Sequence, residues 1–181
     1  MQILIPFADG FEEIEAITCV DVLSRADINV ITASLKENVV RGAHRIEIVT
    51  DLFIDNINTS ELDGIVLPGG MPGSINLQNS NEIIKIVKEL YQNNKLIAAI
   101  CAAPLVLEEA GIITNRNITC YPGIEEELKS ANYLEDRVVV DGNIITGKGP
   151  GAALEFAVKV VEYLLGENRA EMLKNSMITT F

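Results

Sequence analysis

The chemistry open to this chain centres on Cys101, within the run Lys95 to Gly111, KLIAAICAAPLVLEEAG. Lys95 to Ile100 is a short apolar run suited to a buried strand, and Pro104 to Gly111 reads as a helix with proline early and glycine at its end. Cys101 therefore falls on a strand-to-helix turn. Ala99 and Ala103, two residues away on either side, are small enough for a tight nucleophile elbow, and the helix start that follows favours a thiolate through its free N–H groups. Free cysteine is also among the most buried residue types, so the stretch alone leaves a core cysteine as the alternative.

Carboxylates come next. Glu12 and Glu13 lie where a helix begins and read as a solvated face favoured by the helix dipole. Glu15 lies between Ile14 and Ile17 on a helix that looks buried nearly all round, where a charged carboxylate is costly unless paired or protonated. A protonated Glu15 near a thiolate would donate a hydrogen bond and serve as general acid and base. The same loop lacks a glycine-rich cradle and is crowded with acids, which argues against a phosphate-bearing cofactor.

Gly69 and Gly70 follow a buried strand and read either as a tight turn or as backbone donors to an oxyanion beside Cys101. Lys148-Gly149-Pro150-Gly151 has the wrong spacing for a phosphate loop and is read as a border of the site, with Lys148 offering a positive charge. His44, the only histidine, reads as a rim residue of a hairpin-like excursion, although an imidazole beside a thiol would make a Cys–His pair. Cys19 is expected in the core, and Cys120, beside Tyr121-Pro122, is open to a resolving-thiol role.

The elements that must position these groups alternate. Strands are expected at Gln2 to Phe7, Ile28 to Ala33, Gly64 to Leu67, Lys95 to Ile100 and Asn117 to Cys120, with short runs at Val39 to Arg41 and Arg45 to Thr50 and a hairpin over Val138 to Thr146. Helices are expected at Phe11 to Ala26, Glu82 to Tyr91, Pro104 to Gly111, Ile124 to Ser130, Ala152 to Leu165 and Glu167 to Asn175. Such alternation indicates an α/β sandwich with a mostly parallel sheet, whose ligands sit at the carboxyl ends of the strands. The loop after Phe7, the glycines after Leu67 and Cys101 all fall there. The apolar residues of the first helix spread around its circumference, which predicts a second covered face and a homodimer through that helix.

Composition narrows the function classes. A chain of 181 residues with 48% hydrophobic content suits one domain spanning residues 1–181. A formal net charge of −12 disfavours nucleic acid and anionic membrane partners. Three unpaired cysteines and one histidine make neither a disulfide framework nor a zinc set, so no metal is expected. Without a signal-like segment or a long apolar run, the default compartment is a reducing cytoplasm.

Four ordered stretches now carry a resemblance: GFEEIEA at Gly10 to Ala16, LPGG at Leu67 to Gly70, AAICAAP at Ala98 to Pro104, and GKGPG from Gly147 followed by LEFA. Together they resemble the ThiJ/PfpI superfamily, in its YajL and Parkinson-disease protein deglycase-like branch, over essentially the whole chain. The resemblance implies a flavodoxin-like three-layer sandwich, a homodimer and no cofactor. It places the nucleophilic, oxidisable cysteine at Cys101, its glutamic acid partner at Glu15, and the oxyanion donors at the backbone of Gly70 and Ala102. The activity it implies is glyoxalase or deglycase action on α-oxoaldehydes or their adducts, with redox sensing and chaperone-like protection as the alternative.

The resemblance has two departures. Tyr121 stands where the branch usually has a histidine, and a phenol is a poor base at neutral pH. Lys148 stands where human-type sequences have arginine, keeping the charge but not the planar fork. Protease members carry a histidine directly after the nucleophile and amidotransferases one further downstream; here that next residue is Ala102 and no histidine follows.

Overall fold

The computed structural model describes residues 1–181. The chain runs β1 (Gln2–Phe7), α1 (Glu13–Arg25), β2 (Asn29–Ser34), β3 (Val39–Arg41), β4 (Glu47–Val49), β5 (Leu52–Phe53) and β6 (Gly64–Leu67). It continues through α2 (Gly73–Gln78), α3 (Asn81–Gln92), β7 (Leu96–Ile100), α4 (Pro104–Glu109), β8 (Asn117–Ile118) and β9 (Asn132–Tyr133). The last elements are β10 (Val138–Asp141), β11 (Ile144–Gly147), α5 (Ala153–Leu165) and α6 (Glu167–Ser176).

Seven strands form the central sheet in the order β10-β11-β7-β6-β1-β2-β5. Only the β10–β11 hairpin pairs antiparallel; every other neighbour is parallel. From β1 the chain crosses to β2 in one direction, whereas from β6 it crosses to β7 in the other. Right-handed crossovers therefore send α1 and α3 to opposite faces. α1, α5 and α6 pack together on one face and α2, α3 and α4 on the other, giving three layers. Covered on both sides, β6 and β7 are buried at every position, which is why GIVL and LIAAI are continuous apolar runs instead of alternating ones. α3 is capped by Ser80, whose Oγ accepts from Ile83 N–H at 3.3 Å, and it buries Ile83, Ile86, Val87 and Leu90 along one stripe.

Two expectations about elements are corrected. The strand expected at Asn117 to Cys120 ends at Ile118 and lies outside the central sheet, paired with β9. The helix expected at Ile124 to Ser130 is a single 3-10 turn, Ile124–Glu126, because Gly123 enters it in a left-handed conformation at φ +96° and no apolar stripe holds a longer helix down. α1 buries Ala16, Cys19, Val22 and Leu23, but Ile14 and Ile17 are 57% and 42% exposed. Its second apolar face is thus uncovered in the single chain. The short α2 and β5 were not expected from periodicity, since six and two residues carry too little of either pattern.

No helix is long and apolar enough to cross a membrane.

Candidate active site

Cys101 follows β7 directly and takes φ +65°, a left-handed conformation that a residue with a Cβ adopts at a cost of about 1–3 kcal/mol. Two hydrogen bonds hold it there. Cys101 N–H donates to the Gly147 carbonyl at 2.8 Å, and the Cys101 carbonyl accepts from Tyr121 N–H at 2.9 Å. The elbow expected from the small neighbours is thus formed, and the ends of β7 and β11 and the segment after β8 meet at the thiol. The side chain retains 8% exposure.

Glu15 is completely buried on the first turn of α1. Its Oε2 accepts from Gly69 N–H at 2.8 Å, Oε1 has no hydrogen-bond partner, and the Cys101 thiol lies beside the carboxyl. Burial raises this carboxyl to about 7, against the lowering effect of the thiol and the Gly69 N–H. Gly69 cannot be anything larger: a Cβ there would lie 2.5 Å from Glu15 Oε2 and 2.6 Å from Cys101 Cβ. Gly70, at φ +94°, packs against the backbone of Glu12, and its N–H and that of Ala102 favour the charged form of the Cys101 sulfur.

The helix start expected to favour a thiolate at Cys101 acts against burial. Burial pushes the Cys101 thiol up, an ionised Glu15 pushes it further, and only the Gly70 and Ala102 N–H groups pull it down. α4 begins three residues later at Pro104 and is six residues long, too remote and short for its dipole to outweigh the loss of water. The pair instead shares protons: the base that can take the thiol proton is the carboxylate beside it.

Glu12 and Glu13 are not a solvated face. Glu13 is 6% exposed and clamps the β3–β4 turn, accepting from His44 N–H at 2.7 Å through Oε1 and meeting His44 Nδ1 at 2.8 Å through Oε2. Burial raises the Glu13 carboxyl, but the His44 ring and the surrounding N–H groups bring it below its ordinary value overall. His44 is raised in turn, by the Glu13 hydrogen bond first and by the charges of Glu12 and Glu13 next. His44 therefore remains an exposed rim residue committed to Glu13, and it makes no Cys–His pair. The sequence carried one sign of this clamp in Gly42, where a Cβ would run into the Glu13 carboxylate.

Lys148 offers no free charge to the thiol, because its Nζ donates to the carbonyl and carboxylate of Glu135, at 3.0 and 2.5 Å. Pro150 opens the 3-10 turn before α5, bordering the site beyond Gly147. The Tyr121 ring is half exposed and lies beside Gly149, while its backbone is fastened to Cys101. Cys120 is wholly buried and pushed up to about 12 by that burial, the reverse of what a resolving thiol needs. Cys19 is in the core as expected.

The arrangement offers one nucleophile, one acid–base group beside it and two backbone donors for a developing oxyanion. Over residues 1–163 the chain matches the DJ-1/PfpI family. It is 38% identical over 179 residues to protein DJ-1 homolog B of Arabidopsis thaliana, covering 98% of this chain and 41% of that protein, so it spans less than half of that relative. A glutathione-independent glyoxalase of Caenorhabditis elegans is 38% identical over 173 residues, covering 94% of this chain and 91% of that one. A deglycase of Pyrococcus abyssi is 35% identical over 167 residues, covering 91% and 99%. The crystal structure of Drosophila melanogaster DJ-1beta superposes with a TM-score of 0.95 at 35% identity, over 99% of this chain and 98% of that one.

Proposed function

This chain belongs to the DJ-1/PfpI family, and from that premise we propose that it is a cofactor-free, cysteine-dependent glyoxalase or deglycase acting on small α-oxoaldehydes or their adducts. The observation that carries the reading is the buried Glu15 carboxyl, raised to about 7, set against the Cys101 thiol with the Gly70 and Ala102 N–H groups on the same sulfur.

With methylglyoxal, Cys101 sulfur adds to the aldehyde carbon as Glu15 takes the thiol proton, and the carbonyl oxygen, now an oxyanion, is held by the two N–H groups. Protonation of that oxygen gives a hemithioacetal. Glu15 then removes the proton from the former aldehyde carbon to give an enediol and returns it to the neighbouring carbon, while the hydroxyl proton passes to the adjacent oxygen, turning the hemithioacetal into a lactoyl thioester. Water cleaves the thioester, releasing lactate and restoring the thiol. Glu15 performs both transfers, so this sequence needs neither an imidazole at Tyr121 nor His44.

Redox sensing at Cys101 is the alternative, since the same donors would hold its oxidised forms. A thiol raised by burial and only 8% exposed favours catalysis, in which substrate and Glu15 together generate the nucleophile. We further propose a homodimer that covers Ile14 and Ile17, and a cytoplasmic setting in which the three free cysteines stay reduced.

The test is lactate formation from methylglyoxal without glutathione. Wild type should turn over and Cys101→Ser should not, with an unchanged fold by circular dichroism. Turnover retained by the serine variant would remove Cys101 from the mechanism, and a wild type inert although Cys101 still alkylates would favour the sensor.

A further inference from the structure

A second cavity, of about 490 Å³, opens at the carboxyl ends of β1 and β2, between the loop after β2, the β3 strand and the α2–α3 corner. It is separate from the thiol site: neither Cys101, Glu15, Gly69, Gly70 nor Tyr121 lines it. Its volume is in the range of sites for small organic ligands, and the carboxyl edge of a parallel sheet is where such sites form. Phe7, Ala8 and Val40 give it a buried apolar floor.

Set among these is Ser34, completely buried at the end of β2, whose Oγ has no hydrogen-bond partner in the chain. A buried hydroxyl without a partner is costly, and here it lies at the wall of a cavity.

The polar groups of the rim are rich in acceptors. Asp9 accepts from Arg41 N–H through Oδ1, leaving Oδ2 free, while Asn76 has given its amide N–H to the Asp9 carbonyl and retains its oxygen. Glu82 and Glu37 add two carboxylates. Against them stand the Asn79 side-chain amide and Lys36, which forms no ion pair. The complement to three carboxylates and one ammonium is a donor-rich cation bearing one anionic end. The helix start of α3 does not turn the site toward anions, because Glu82 already occupies its first turn.

We infer that this cavity is a binding site for a small basic amino acid, its cationic groups toward Asp9 and Glu82 and its carboxylate toward Lys36 and Asn79, with Ser34 completing the floor. This site stands independently of the proposed activity.

Calorimetric titration of the purified full chain with L-arginine tests it, with agmatine, D-glucose and inorganic phosphate as comparison probes. Arginine should bind saturably, one per chain, and Glu82→Gln should weaken it about tenfold, the worth of one charge-assisted hydrogen bond. Ser34→Ala, which leaves packing almost unchanged, should also weaken binding. Lys36→Ala should weaken arginine but not agmatine, which lacks the carboxylate. In all three variants the alkylation rate of Cys101 should match wild type, showing that the fold and the thiol site are intact. No saturable arginine binding, binding unaffected by these substitutions, or tighter binding of glucose or phosphate would overturn the assignment.

Discussion

Glu15 and Cys101 meet across a gap that Gly69 keeps free of side chains while donating its own N–H to Glu15 Oε2 at 2.8 Å. One backbone position thus fixes one oxygen of Glu15 and limits how near the two groups come. The proton that the chemistry requires is held between a carboxyl raised to about 7 and a thiol also raised by burial. Neither group has to hold a stable charge before substrate arrives.

Gly69→Ala should therefore do more harm than its size suggests. The added methyl would contact Glu15 Oε2 at 2.5 Å and the Ile100 carbonyl at 2.9 Å, both in rigid surroundings. Stability should fall by about 1–3 kcal/mol, as for other overpacked sites, and methylglyoxal turnover should be lost. Denaturant melts and lactate assays check both; full activity would mean that the Glu15–Cys101 separation is not critical.

Glu15 should leave a mark on stability as pH changes. Its folded value of about 7 lies above the ordinary 4.5, so the folded state holds a proton that the unfolded state has released between those values. The stabilising contribution is complete below 4.5 and is lost as pH rises through 7. Between pH 5 and 8, wild type should lose on the order of 3 kcal/mol relative to Glu15→Gln, taken from the difference between the two values. Parallel stability profiles for the two proteins would show that Glu15 titrates normally.

His44 is the only histidine, so its ring protons give a single resolvable NMR titration. Its midpoint should lie above 6.5 in wild type and move back toward 6.5 in Glu13→Gln, since the Glu13 hydrogen bond is the main cause of the rise. The stabilisation from this pair is present below 6.5 and fades as pH rises through the folded midpoint. A midpoint indifferent to Glu13→Gln would break the clamp reading.

Ile14→Glu and Ile17→Glu test the covered face of α1. Both residues are exposed in the single chain, so a charge costs the folded monomer little, whereas burying that charge in a two-fold contact is severely unfavourable. Sedimentation velocity should show wild type as a dimer and the variants as folded monomers. A monomeric wild type would end the dimer proposal.

The elements most legible in the sequence were those whose pattern follows from burial alone. β6 and β7 are apolar at every position because helices cover both faces of the sheet, and α3 shows a single stripe because only one of its faces is covered. Cys101 was legible through its small neighbours, whereas Glu15 was carried by the resemblance, since the isoleucines flanking it are themselves exposed. The readings of Glu13 and Lys148 failed because their partners, His44 and Glu135, are 31 and 13 residues away, and no local rule couples them. The electrostatic balance at the thiol was not legible for a related reason, since the helix end is a local feature whereas desolvation depends on everything packed around the sulfur.

By itself, then, the sequence determined the main strands and helices and the elbow at Cys101, because propensity, apolar spacing and residue size act over a few residues. Tertiary structure alone decided that Glu15 Oε2 takes the Gly69 N–H and that His44 belongs to Glu13. Those pairings join residues 31 and 54 positions apart in the Glu13 and Glu15 cases. Their distances, and the protonation they set, exist only once the sheet has brought its strand ends together and removed the water between them.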